Sequence, residues 1–408
     1  MADIFVDYHA QFFTTSNPAE LERVLVGVQP VVDDSMNAAL SKPFVWEEVE
    51  VAIKKMAPLK ALGLDGMPPI FYQTFWLDIG MEISDVVLSC LNSSTFLRSI
   101  NHTFITLIPK VANPETVAQF RPISLWNVIY KLLSKVLVNK LKPTLNSIIS
   151  EAQSAFIVDR VITDNILIAF ETLHHMKTQC SGKTGLMALK LDMSKAYDRV
   201  EWVFLEKILL KMGFKKLWVT LIMQCVTTVS YSLLVNGEPQ GFICPSKGLR
   251  EGDPLSPFLF LFCVEGLNAL LSIATSEGDI RGYSICRVGP RISHLFFTDD
   301  CLLLCRATPA ECANIQHILG WYEAASRQQV NFDKTTAFFS RNTFEEIQEE
   351  LKVMLGMPTI KSYEKYLGLP SFVGRQKKKL ALITSRSGFG PVCKGGRRNY
   401  SLKPVRKL

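Results

Sequence analysis

No two cysteines among the ten in this 408-residue chain are spaced as CxxC, and there are only six histidines. A zinc knuckle or thioredoxin-type redox pair is therefore excluded as the organising feature. A secretory leader is not expected either, because Asp3 and Asp7 interrupt the N-terminus, and the expectation is an intracellular, reduced protein. Neither an internal repeat nor a long low-complexity segment is visible. Acidic residues are missing from residues 375–408, which hold eleven Lys or Arg. The rest has 34 basic against 38 acidic side chains, so the net +7 of the chain belongs to the tail. A basic tail can bind phosphate backbones but says nothing of the body. Lys54, Lys55, Lys60, Lys131, Lys135, Lys140 and Lys142 are candidates for a local basic groove.

What is present is more pointed. Asp299 and Asp300 interrupt an apolar ribbon, ISHLFFTDDCLLLCRA, from Ile292 to Ala307. Apolar runs on both sides predict two short buried strands joined at Thr-Asp-Asp by a tight turn. Carboxylates beside so much apolar surface are costly unless they face solvent or bind cations. An isolated Asp-Asp pair is usually an ordinary turn, so the pair alone decides nothing.

A second ribbon, GLMALKLDMSKAYDRV from Gly185 to Val200, alternates Met187, Leu189 and Leu191 before Asp192 ends the strand. Val200, Val203, Phe204, Ile208 and Leu209 then recur at helical spacing, with Gly213 as the stop. Asp198 and Glu201 are expected as helix-surface charges. Three aspartates from two strands could hold two Mg²⁺ ions about 3.5–4 Å apart, the chemistry of nucleotidyl transfer. The third element, Ser246 to Ala274, is a Gly-rich loop running into an apolar helix, with Ser256 as candidate N-cap and Pro257 in the first turn. Amides at Gly248 and Gly252 could approach a phosphate or base. Glu265 and Asn268 within the apolar run favour a buried helix over a membrane span.

In this order, the segments FRPISLWNVIYKLLSKVL, QSAFIVDRVITDNILIAFE, ALKLDMSKAYDRVEW, NGEPQGF, GDPLSP, ISHLFFTDD and KYLGLP resemble the reverse transcriptases of plant LINE-type non-LTR retrotransposons. The resemblance runs from about Ile4 to Arg375. It implies an α+β right-hand polymerase: fingers over about 44–175, a palm with an antiparallel sheet and packed helices over about 185–375, and a lead-in segment at 1–43. It implies Mg²⁺ as cofactor (two ions, with Mn²⁺ as a substitute), an RNA or DNA template with primer, and deoxynucleotide substrates. From the charged and polar residues in the apolar run, no membrane is expected among the partners. By matching position, Asp192, Asp299 and Asp300 become metal ligands. Lys334 becomes the residue that protonates pyrophosphate, Tyr197 the ring that excludes a ribose 2′-hydroxyl, and Arg121 a fingers residue near the triphosphate. Gly252 and Glu251 flank the nucleotide pocket.

Several positions depart from the family pattern. Leu62 and Leu64 stand where proline is normal, Thr298 where alanine is, Asp159 and Arg327 where glycine is usual, and Glu251 where glutamine is commoner. Residues 376–408 lack the helical pattern of a thumb, and a reading frame displaced by one base over Ser387 to Leu408 can encode a peptide resembling the family's continuation. A frameshift near Lys377 to Arg386, with loss of the thumb and a disordered basic tail, is the expectation. The alternative function is a catalytically decayed remnant that binds nucleic acid nonspecifically. A domesticated relative that binds structured RNA is a further rival, though no appended RNA-binding module is visible.

Overall fold

The computed structural model describes residues 2–59, 62–178, 182, 184–284, 291–357, 365–366 and 369–370. The expected thumb loss, frameshift and tail disorder concern residues outside these. Helices α1 (Ala2–Phe12), α2 (Leu21–Leu25), α3 (Asp34–Leu40), α4 (Trp46–Lys54), α5 (Pro69–Thr74), α6 (Trp76–Ser93) and α7 (Arg98–Asn101) lead into strands β1 (His102–Pro109) and β2 (Phe120–Trp126). Then come α8 (Val128–Ile148), α9 (Ile162–Thr178), β3 (Leu186–Leu191), α10 (Trp202–Lys211), α11 (Lys216–Thr227), β4 (Ser230–Val235) and β5 (Glu238–Ile243). The chain continues through α12 (Ser256–Glu277), β6 (His294–Phe297), β7 (Asp300–Arg306), α13 (Pro309–Ser326), β8 (Thr336–Phe339) and α14 (Glu345–Met354), to a short pair, β9 (Lys365–Tyr366) and β10 (Leu369–Pro370).

Two four-stranded sheets organise these elements. One has the order β6-β7-β3-β8 and is antiparallel throughout. The other, β2-β1-β4-β5, is mixed, because β1 runs parallel to β4. The period of two seen in the sequence sets the faces of the first sheet. Met187, Leu189, Leu191, Cys301, Leu303 and Cys305 enter the main core, whereas Ala188, Leu302 and Leu304 join a second cluster with Leu173 and Met176 of α9. Burying both faces explains why β7 is nearly all apolar rather than alternating.

Helix α12 is long and apolar enough to cross a membrane, yet 72% of its most apolar window is buried within the protein. It is a core helix, flanked by α2, α10 and α13. Its N-cap is Leu255, not Ser256, which is already the first helical residue. The Leu255 N–H donates to Asp253 Oδ1 at 2.9 Å and to Ser134 Oγ at 3.1 Å, which fixes the entry to the helix. Within residues 2–43, Phe13, Val24, Leu25, Val28, Val32 and Leu40 belong to the main core.

Three of the seven candidate groove lysines have partners within the protein or are buried. Lys131 is buried, Lys140 lies 3.8 Å from the Phe44 ring and 3.7 Å from Glu48, and Lys54 pairs with Glu50 at 2.7 Å. Lys60 lies outside the described residues.

Two departures from the glycine pattern fall at left-handed backbone, Asp159 at φ +67° and Arg327 at φ +58°. Side chains there cost about 1–2 kcal/mol relative to glycine. Asp159→Gly is expected to raise stability by about 1 kcal/mol, read as a shift in denaturant midpoint. Arg327→Gly should gain less, because Nη2 of Arg327 donates to the carbonyls of Ser16 and Asn17, both at 2.9 Å. Equal gains at both positions would show that these two bonds contribute nothing.

Candidate active site

Strand β3 pairs with β7 up to Leu191 opposite Cys301, so the next residue, Asp192, falls across from Asp300. Phe297 pairs with Asp300, leaving Thr298 and Asp299 as a two-residue turn. Thr298 has φ +56°, the sign required of the first turn residue in a type II′ hairpin, where glycine is the natural occupant. A β-branched residue there is strained, and the strain sits beside the acids. Past Asp192 the chain still pairs: Asn331 N–H donates to the Asp192 carbonyl and Ser194 N–H to Gln329, both at 2.8 Å. This register brings Lys334 Nζ to 3.6 Å from Asp192 Oδ2.

These elements open on a cavity of about 750 Å³. Of the residues singled out in the sequence, Asp192, Asp299, Tyr197, Arg121, Glu251, Gly252 and Lys334 line it. Asp300 is not among the lining residues and lies 3.4 Å from Lys190 Nζ. Arg121 Nε stands 3.9 Å from Glu251, so the acid that departs from the family pattern has a cation facing it. Gly248 differs from the expectation: its N–H donates to the Val200 carbonyl at 2.8 Å, so it is committed within the protein. Gly252, at φ +88°, is the glycine that reaches the cavity, under the Trp126 ring.

The surface positions expected for Asp198 and Glu201 are corrected. Both are buried, because the segment after Asp192 turns in against the loop at Gly248 before α10 begins at Trp202. Glu201 accepts bonds from Thr15 Oγ1 at 2.6 Å and the Ser16 N–H at 2.9 Å, which ties the N-terminal segment to the site. Asp198 lines the cavity, and burial, reinforced by Glu251, pushes its carboxyl up to about 7 against the opposing charges of Lys195, Lys110 and Arg199. A carboxyl raised on folding holds its proton more tightly in the folded state. Its stability contribution is complete below the unfolded value near 4 and is lost as pH rises through about 7. Asp198→Asn should therefore flatten the fall in stability between about pH 4 and pH 7. Glu265, also pushed up to about 7 by burial, will keep part of that slope. An unchanged slope in Asp198→Asn, measured by thermal unfolding across that range, would count against this assignment.

Lys110 and Lys195 also line the cavity, and nothing in the sequence singled them out. Burial, with Lys195 and Arg121 nearby, lowers the Lys110 ammonium below its ordinary value. Lys195 has φ +50°, and α1 holds its ammonium 4.0 Å from the Phe12 ring and 3.2 Å from the Tyr8 hydroxyl. Tyr197 stacks on Phe260 with centroids 4.8 Å apart at 21°, which makes its ring a stiff wall.

Asp299 is the cavity carboxylate most crowded by other acids. Its carboxyl is raised by burial first and then by the charges of Asp300, Asp192 and Glu251, with a backbone bond opposing. Such mutual repulsion among carboxylates is relieved by a hard divalent cation, so the donors fit one. Among the described residues, however, no group of three or more His, Cys, Asp or Glu is already arranged around a metal position. Asp192 and Asp300 each have a lysine beside them instead.

Carboxylates at one end of an antiparallel sheet, facing a cavity rich in lysine and arginine, make a site suited to phosphate chemistry. The sequence profile of the reverse transcriptases (RNA-dependent DNA polymerases) matches residues 108–370, and the chain belongs to that family. It is 26% identical over 379 residues, 89% of its length, to the transposon TX1 uncharacterized 149 kDa protein of Xenopus laevis. To the retrovirus-related Pol polyprotein from the type-2 retrotransposable element R2DM of Drosophila melanogaster it is 23% identical over 306 residues, 71% of its length. It spans only 28% and 27% of these two relatives. An uncharacterized mitochondrial protein of Arabidopsis thaliana is 49% identical over 67 residues, which is 16% of this chain and 55% of that protein. The family is that of the RNA-dependent DNA polymerases, and the relatives from Xenopus laevis and Drosophila melanogaster are named as proteins of transposable elements.

Proposed function

We propose that the chain is the fingers and palm of a plant LINE-type reverse transcriptase, extending a primer on an RNA or DNA template with deoxynucleotides in an intracellular setting. The observation that carries this reading is the cavity that joins Asp192 and Asp299 to Tyr197, Arg121, Lys110 and Lys334. The plant assignment draws on the resemblance in sequence and on the short Arabidopsis match. In this reading the sheet β6-β7-β3-β8 is the palm, and α4 to α9 with the β1–β2 hairpin form the fingers.

Asp192, Asp299 and Asp300 would hold the divalent ions, Mg²⁺ or in its place Mn²⁺, that supply charge neutralisation and an activated nucleophile when bound. Lys190 and Lys334, now beside two of these acids, then turn to other anions. Arg121 and Lys110 bind and orient the triphosphate by charge. Lys334 delivers a proton to the leaving pyrophosphate from the rim of the cavity, where its side chain is 67% exposed. Tyr197 meets the sugar. Its stacked ring cannot yield easily, so Tyr197→Val should raise ribonucleotide relative to deoxynucleotide incorporation by about 10- to 100-fold. Unchanged sugar discrimination in an active enzyme would return Tyr197 to a packing role.

A decayed copy is favoured by one observation, the Arg121–Glu251 pair, which occupies a phosphate-facing guanidinium with an internal acid. Primer extension by the purified chain on RNA and DNA templates decides between the readings. Extension stimulated by Glu251→Gln supports a weakened polymerase. Nucleic-acid binding without extension in either form supports the remnant.

A further inference from the structure

The segment between α8 and α9 is short of regular structure but heavily anchored. Arg160 uses its guanidinium to close the end of α8, donating to the carbonyls of Gln153 at 2.7 Å, Ile149 at 2.9 Å and Asn146 at 3.1 Å, and also to that of Ser150. Gln153 forms a parallel bridge with Phe296, and its side chain accepts the Thr298 N–H at 3.2 Å. Ser154 N–H and the Asn165 amide both donate to the Phe296 carbonyl, at 3.2 and 2.9 Å. The loop is thus held in register with the very turn that carries Asp299.

From this frame the side chains alternate. Ala155 and Ile157 are buried, whereas Phe156 is 50% exposed and Val158 56%. Phe156 sits at φ +61°, a left-handed conformation that is costly for a bulky residue and that glycine or asparagine would take readily. Phe156 lines the cavity, and among the described residues its one ring contact is edge-on, at Phe258, with centroids 6.3 Å apart at 65°. Folding gains little from a strained, half-exposed aromatic. A flat apolar face held in fixed register with the carboxylates suits a flat apolar ligand.

We propose that Phe156 is a stacking platform for a nucleobase at the polymerisation site, an inference that rests on the polymerase reading. The base belongs either to the template or to the incoming nucleotide. Base–aromatic stacking tolerates any sequence, because every base presents a π-face. That tolerance is what a polymerase copying arbitrary sequence requires at this place.

The test uses the full chain, a dideoxy-terminated primer and a template with 2-aminopurine at the position to be copied, followed by a second arm with 2-aminopurine deoxynucleoside triphosphate opposite thymine. In the unmodified protein one of the two fluorophores should be quenched by stacking. Phe156→Ala and Phe156→Leu should abolish that quenching and weaken binding of the same component by about 5- to 150-fold, whereas Phe156→Trp should retain both. The arm that responds identifies the base. Because the ring is half-exposed, Phe156→Ala should still fold, and the Leu and Trp variants carry the comparison should it not. Binding that ignores all three substitutions overturns the platform alone. Absence of any primer–template or nucleotide binding by the unmodified chain overturns the polymerase reading and the platform together.

Discussion

Asp299→Asn is expected to lower nucleotide addition by about 10³-fold or more, the scale of losing a principal electrostatic contact in the transition state. The substitution removes a charge but almost no volume, so the hairpin turn between Phe297 and Asp300 should persist. Affinity for a primer–template duplex should stay close to that of the unmodified chain, because phosphate contacts elsewhere dominate it. Single-turnover extension together with a duplex-binding titration at fixed salt separates the two effects. Full extension by Asp299→Asn would remove this residue from the chemistry. Loss of duplex binding in parallel with activity would mean that the turn had collapsed.

Asp253→Ala is expected to cost about 3–5 kcal/mol of stability, the largest effect foreseen for any single substitution outside the apolar core. Arg250 and Asp253 are both buried and meet at 3.1 Å. Arg250 Nη1 also donates to Asn101 Oδ1 at 2.6 Å, and its guanidinium lies 3.9 Å from the Tyr130 ring. Asp253 further accepts from Tyr130 Oη at 2.9 Å, from Ser134, and from the Leu255 N–H. Removing the carboxylate leaves a buried guanidinium without its counter-charge and takes an acceptor from the Tyr130 hydroxyl, two losses of different kind. Arg250→Met with Asp253→Ala should be less harmful than Asp253→Ala alone, since no uncompensated charge then remains. Denaturant unfolding of the three variants measures this. A double variant weaker than the single one would show that Arg250 stabilises the fold without its acid. The network also holds Glu251 and Gly252 at the cavity wall, so activity should fall with stability.

The strands bearing Asp192, Asp299 and Asp300 were legible in the sequence, because strand and turn formation there depends on near neighbours. Alternation at Met187, Leu189 and Leu191 marks β3, apolar runs broken by Thr-Asp-Asp mark β6 and β7, and Gly213, at φ +97°, ends the α10 segment as its spacing predicts. Asp198 and Glu201 were misread for the complementary reason. Their helical spacing looks like a solvated face, but the segment 194–201 is a series of turns pressed against the Gly248 loop and the N-terminal residues Thr15 and Ser16. Lys110 enters the cavity from just past the end of β1, and Lys195 from the segment between Asp192 and Tyr197, with its ammonium beside Tyr8 and Phe12 of α1; that last contact joins residues far apart along the chain.

By itself, then, the sequence determined which segments become strands and helices around the three aspartates, because backbone preference and side-chain period act over a few residues. The tertiary structure alone decided which other charges meet: Asp198 with Glu251 in the cavity, Arg121 facing Glu251 across it, and Asp300 beside Lys190. Those pairings join residues far apart along the chain, and their energies depend on burial and distance, which exist only once the sheets and helices have packed.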